Sequence, residues 1–154
     1  MKKLMEIRKK MKNNKGFSLV ELIIVIAIMA VLVAVLAPQF LKYVEKSRNA
    51  TDAQNATAIV SAIQTCYADP DTAATDLPAN NATTTITVNA TGITGADTFV
   101  TKAFTDAGLS TSTNCKSKQT WKEYTIKYTV TNGTITFTYG GTEFNNYMTK
   151  GSAS

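Results

Sequence analysis

The sequence predicts an α+β fold: a long N-terminal α-helix, membrane-spanning in its first half, packed against a small antiparallel β-sheet head. Three observations predict it. Residues 17–37 form an apolar run whose only polar side chains are Ser18 and Glu21. Apolar residues then recur at three- and four-residue spacing as far as Tyr67. Residues 121–139 alternate apolar and polar around the turn dipeptide Asn132-Gly133.

Residues 1–16 are a basic leader. They hold seven Lys/Arg against Glu6, whereas the rest of the chain holds nine basic and ten acidic residues. The sequence pI of 9.2 therefore belongs to the leader and is no argument for a body that binds nucleic acid. With no histidine, the chain offers neither a Ser-His nor a Cys-His pair. It also lacks a glycine-rich phosphate loop and a metal-ligand cluster. The composition points away from an enzyme, and no cofactor or metal is expected.

Residues 17–38 have the length and character of a transmembrane helix. Twenty-one helical residues rise about 31 Å, close to the hydrocarbon thickness of a bilayer. Thirteen Leu, Ile or Val lie between Leu19 and Leu36. They favour insertion by roughly 5 kcal/mol, against roughly 3 kcal/mol for one central acid, and Glu21 lies near the end rather than the centre. Basic residues before the run keep that end cytoplasmic, so the chain beyond about residue 40 faces outward. A secretory signal would have a shorter apolar region and a small-residue cut; a cut after Ala37 would leave Pro38 first.

A carboxylate inside a membrane-length run is costly and usually functional. The stretch Lys15-Gly16-Phe17-Ser18-Leu19-Val20-Glu21-Leu22 resembles the class III signal of type IV prepilins and the related pseudopilins. The resemblance covers about residues 15–45. It implies cleavage after Gly16 by a membrane prepilin peptidase, a mature chain starting at N-methylated Phe17, and an assembly role for Glu21. Pro38 falls where many members of that family carry a helix-bending proline; lacking an N–H, it cannot bond the carbonyl of Ala34. The chemistry stands beside the resemblance. Cleavage turns a neutral amide into an ammonium that can pair with Glu21 of the same or a neighbouring chain, and such a pair matters most where water is scarce.

Residues 39–67 continue the helix. Phe40, Leu41 and Val44 extend its apolar face, and Lys42, Glu45, Lys46 and Arg48 mark emergence into water. Ala53, Ala56, Val60, Ile63 and Tyr67 define a stripe, with Ile59, Ala62 and Cys66 beside it. Asp69-Pro70 ends the pattern.

Residues 68–154 form the head. A polar loop with one short strand, Thr84–Val88, precedes a short helix capped by Asp97, carrying Phe99, Val100, Ala103 and Phe104, and closed by Gly108. Ser110–Lys118 reads as loop. In the hairpin, the turn sets Val130 against Ile135, Tyr128 against Phe137 and Ile126 against Tyr139, so every apolar residue meets an apolar partner. That face is expected to cover the outer helix. Phe144 and Tyr147 are compatible with a final strand or with packing along an edge.

Cys66 and Cys115 would close a loop of about 50 residues if paired, worth roughly 4 kcal/mol, and export favours pairing over two separate buried thiols. Lys116, Lys118, Lys122 and Lys127 could contact phosphate, but a head with six basic and seven acidic residues favours a solvated strand face over nucleic-acid binding. Asp69, Asp71 and Asp76 lack the spacing of a calcium loop. Asn-x-Thr at Asn49, Asn55, Asn81, Asn89 and Asn132 is what a threonine-rich chain produces by chance.

The resemblance implies a structural subunit of a type IV pilus, a homopolymer serving adhesion, twitching motility or biofilm formation. Its partners would be a prepilin peptidase, an inner-membrane platform and assembly ATPases. It would be a single-pass membrane protein as precursor and part of an extracellular filament after assembly. A pseudopilin of a secretion or competence system, and a single-pass anchored binding protein that never polymerises, are the alternatives.

Overall fold

The computed structural model describes residues 16–151, so the leader lies outside the described residues except for Gly16. The chain divides into two units, one ending at Leu41 and the other beginning at Lys42. Helix α1, Leu19–Ala68, contributes to both and includes Pro38 in its interior.

In the first unit, every residue from Gly16 to Leu41 is exposed. The most apolar window of α1 has a mean hydropathy of 3.2, and none of that window is buried within the chain. It is long and apolar enough to cross a membrane.

The second unit combines the rest of α1 with a four-stranded antiparallel sheet. Strands β1 (Thr83–Asn89), β2 (Gly92–Thr94), β3 (Tyr124–Thr131) and β4 (Thr134–Gly140) lie in the order β2-β1-β3-β4. Helix α2, Thr98–Asp106, follows β2, and helix α3, Thr142–Lys150, follows β4. The α+β class and the sheet-bearing head are as the sequence predicts.

The hairpin register is the predicted one. Val130 pairs with Ile135, Tyr128 with Phe137 and Ile126 with Tyr139. Asn132 (φ 51°) and Gly133 (φ 76°) both take positive φ, as a two-residue turn matching strand twist requires. Tyr124, Ile126, Tyr128 and Val130 of β3 are buried, while Ile135, Phe137 and Tyr139 on edge strand β4 are half-buried. Thr134, Thr136 and Thr138 face water.

The sheet, α2 and α1 share one core. Ala56, Ile59, Ile63 and Cys66 of α1 cluster with Ile86, Val88, Phe99, Val100, Phe104, Ile126 and Tyr128. The buried stripe is rotated from the expected one: Ala53, Val60 and Tyr67 are half-buried, while Ala56, Ile59, Ile63 and Cys66 carry the contact. Asp97 caps α2 as predicted, accepting from the Val100 N–H at 2.8 Å. Its other oxygen accepts from Thr84 Oγ1 at 2.7 Å and Tyr128 Oη at 2.6 Å, so one carboxylate joins α2 to β1 and β3. Burial would push its carboxyl up, but these donors hold it below the usual range.

Two elements go beyond the sequence reading. β2 forms where only loop is expected. The segment around Phe144 and Tyr147 is a helix rather than a strand, with Phe144, Tyr147 and Met148 at helical spacing. Phe144 is fully buried, stacked on Tyr124 at 4.1 Å and edge-on to Trp121 at 5.1 Å. Gly151 takes the left-handed conformation that ends the helix (φ 75°).

The expected disulfide is not formed. Cys66 and Cys115 are separate, buried, free thiols. Cys115 Sγ lies 3.3 Å from Asp52 Oδ2, and Cys66 Sγ lies 3.9 Å from Asp106 Oδ2. Asp52 and Cys66 are fourteen residues apart on α1, about 21 Å of helix, far beyond disulfide reach. Burial, then the charge of Asp52 beside it, pushes the Cys115 thiol up to about 12. Both thiols should therefore resist alkylation in the native chain and label fully in denaturant, and mass mapping without reductant should find no Cys66–Cys115 peptide.

Candidate functional site

Two groups of side chains have geometry beyond packing. The first lies at the start of α1. Ser18 precedes the helix, and its backbone N–H donates to Glu21 Oε2 at 2.8 Å, while the Leu22 N–H donates to the Ser18 carbonyl at 3.1 Å. Ser-x-x-Glu is one half of a capping box: an acid in the first turn answers an orphan donor and the positive end of the helix dipole. The glutamate carboxylate thus folds back toward the residue that follows Phe17. The nitrogen of Phe17 is one residue away, at most about 3.8 Å along the chain. Gly16 is exposed, with open space around its Cα, and Phe17 is 86 % exposed. The peptide bond between them is accessible, and the carboxylate lies near the nitrogen that its cleavage would free. The structure therefore brings Gly16, Phe17 and Glu21 together, with Pro38 further along the same exposed helix.

The second group is a row of polar side chains on the buried face of α1. Glu45, Asn49 and Asp52 are 6 %, 5 % and 0 % exposed. This corrects the expectation that Glu45 marks emergence into water. The three residues extend the buried apolar row Ala56, Ile59, Ile63 and Cys66 backwards at alternating four- and three-residue steps. Polar residues continuing an apolar stripe were the signal that could have found them.

Apart from Arg48 Nη1, which lies 3.4 Å from Glu45 Oε2 one turn along the helix, their partners come from the segment 115–121. Glu45 Oε1 accepts from Ser117 Oγ (2.6 Å) and from the N–H groups of Lys118 (2.8 Å), Gln119 (2.8 Å) and Thr120 (3.2 Å). Asp52 accepts from the N–H groups of Lys116 (2.7 Å) and Ser117 (2.9 Å) and from Trp121 Nε1 (2.9 Å). Asn49 Nδ2 donates to Thr120 Oγ1 at 2.9 Å. An irregular loop cannot satisfy its own donors when buried; these two carboxylates supply the acceptors. They clamp the loop to the helix and set the start of β3.

Burial would push the Glu45 carboxyl up, but Ser117 and the three N–H groups hold it at about 2, against an ordinary 4.5. A folded-state value below the unfolded one stabilises the fold above pH 4.5, and that contribution is lost as pH falls from 4.5 toward 2. Acid titration followed by Trp121 fluorescence should show the head weakening in that window, by on the order of 2 kcal/mol after solvent screening. A Glu45→Gln chain should lose most of this acid dependence.

An exposed apolar helix long enough to cross a membrane, an acid four residues after an exposed Gly-Phe pair, and a small antiparallel head define a class: α+β chains of pilin-like architecture. Comparison with known proteins agrees. Residues 11–37 match the prokaryotic N-terminal methylation motif. The chain is 34% identical over 59 residues to the type IV major pilin protein PilA of Myxococcus xanthus (strain DK1622), a match spanning 38% of this chain and 27% of that relative. No solved structure matches. The chain carries the N-terminal methylation motif of type IV prepilins and has a major type IV pilin among its homologues.

Proposed function

We propose that this chain is the structural subunit of a type IV pilus, polymerising through the first half of α1 after its leader is cut away. The observation that carries this reading is the surface from Phe17 to Leu41, apolar but for Ser18, Glu21 and Gln39 and covered by none of the described residues. Bilayer covers it before assembly, and the same helix of other copies covers it afterwards. Since lipid tails and neighbouring helices are equally apolar, the exchange costs little, and a specific interaction can direct it.

In this reading a membrane peptidase cuts after Gly16 and the new amine of Phe17 is methylated. The amine pairs with the Glu21 carboxylate of its own or a neighbouring chain and fixes register. Cleavage also removes a leader of net charge +6, which holds the precursor at the cytoplasmic face. Pro38 supplies the bend that lets the helix adapt between bilayer and filament. The head is exported and forms the filament surface, serving adhesion, motility or biofilm formation; assembly depends on an inner-membrane platform and cytoplasmic ATPases. The chain acts as polymer and has no catalytic role.

The test is the mass and N-terminal sequence of the native polypeptide recovered from sheared surface filaments. The expected result is a chain beginning at Phe17, heavier by one methyl group. Filaments built from chains that retain residues 1–16 would overturn the proposal.

A further inference from the structure

Charge in the second unit is segregated along α1. Lys116, Lys118 and Lys122 are exposed on the segment that Glu45 and Asp52 hold against α1. Lys42, Lys46 and Arg48 lie on the same stretch of the helix. The acids at this end are Glu123 and Glu143 together with the buried Glu45 and Asp52, which leaves the balance positive. At the other end, past Ala68, the exposed acids are Asp69, Asp71, Asp76 and Asp106, answered by Lys102. Sixteen residues of helix, about 24 Å, separate Asp52 from Ala68.

The acidic end also holds a groove between α1 and α2, about 490 Å³ in volume. Its walls include the small side chains of Ala58, Ala62, Ala103 and Ala107, with the exposed carboxylates of Asp69 and Asp106 beside them. Asp106 is already paired with Lys102 at 2.8 Å, and Asp69 Oδ1 accepts from the Asp71 N–H. Small apolar walls with carboxylates at the edge suit a lysine, whose stem is apolar and whose tip is cationic. The basic end of this same chain presents such lysines on a loop pinned by its backbone: Lys118 and Lys122 are exposed, and Lys116 Nζ donates to the nearby Asn114 Oδ1.

We propose that the head docks on a second copy of itself, the loop Lys116–Lys122 of one copy seating at the groove and the Asp69–Asp71 edge of the next. This inference rests on the filament reading above and deepens it: copies that share a direction and are staggered along an axis bring a basic end against an acidic one. The contact is heterologous and repeats without closing, as a filament requires. Opposed charges steer encounter and set register, so assembly weakens as salt rises.

The test uses the full-length chain in cells that assemble it. Lys118→Cys and Asp71→Cys, expressed as two separate chains in one cell, should give an oxidant-induced dimer in sheared filaments, and neither variant alone should give it. Cys66 and Cys115, being buried, contribute little background. The double charge reversal K116E/K118E should cut the filament fraction about tenfold, and adding D69K/D71K should restore it to within about twofold. Filaments that form without the heterodimer, or K116E/K118E filaments at wild-type yield, overturn the docking while leaving the polymer reading intact. A wild-type chain that is processed but never found as polymer sinks both. If K116E/K118E merely lowers the amount of chain, the cross-link decides.

Discussion

Replacing Glu21 with alanine should abolish filament assembly while leaving the chain in the membrane. Thirteen branched aliphatic residues remain to favour insertion, and removing an acid can only strengthen it. What is lost is the partner of the Phe17 amine. An ammonium carried into a helical bundle without its counter-charge costs about 3–5 kcal/mol, which is roughly a hundredfold or more in the assembly equilibrium. Glu21→Gln keeps the size and the hydrogen bond to the Ser18 N–H but not the charge. It should fail nearly as badly if the pair matters, and assemble normally if Glu21 serves only as a helix cap worth about 1 kcal/mol. The measurement is the partition of processed subunit between membrane and sheared filament, with N-terminal sequencing to verify cleavage. Normal filaments from Glu21→Ala would dispose of the charge-pair account.

The second large effect is expected at Asp52. Its carboxylate is fully buried and accepts from two loop N–H groups and the indole of Trp121. Alanine there leaves two buried donors and one half-buried one without their acceptor and opens a cavity beneath the loop. Each orphaned donor costs about 1–3 kcal/mol, so a total of about 3–5 kcal/mol is expected once the loop relaxes. At an ordinary urea dependence this lowers the unfolding midpoint by about 2 M, and many heads of this size would not survive it. Trp121 is the sole tryptophan in the chain, so its fluorescence reports directly on the contact. Asp52→Asn should fall between, since the amide oxygen can still accept but its NH₂ faces donors. A surface control such as Lys127→Ala should be nearly neutral. If Asp52→Ala unfolds at the wild-type midpoint, the clamp is not what holds the loop.

The two sites differ in how they could be read. The Gly16-Phe17 pair and Glu21 are legible as a motif because their spacing is local, with the acid one helical turn further on. The hairpin was legible for a similar reason. Asn132-Gly133 admits one turn geometry, and alternation leaves one register in which Tyr128 meets Phe137. The Asp97 cap followed from the same local logic.

Glu45 and Asp52 escaped because a charged residue on a helix ordinarily faces water, and only the loop opposite shows otherwise. Helix α3 escaped because its aromatics fit an edge strand as well as a helix until Trp121 and Tyr124 offer Phe144 a place to stack. The cysteines looked like a pair because sequence carries no distance; the helix between their surroundings keeps them apart.

By itself the sequence determined the apolar helix, the acid within it and the hairpin, since each depends on neighbours within a turn or a short loop. The tertiary structure alone decided which face of α1 is buried, which acids turn inward and whether the thiols meet. Those outcomes depend on residues more than sixty positions apart in the chain, whose encounter is set by packing and by the acceptors that Asp52 offers to the donors of the loop.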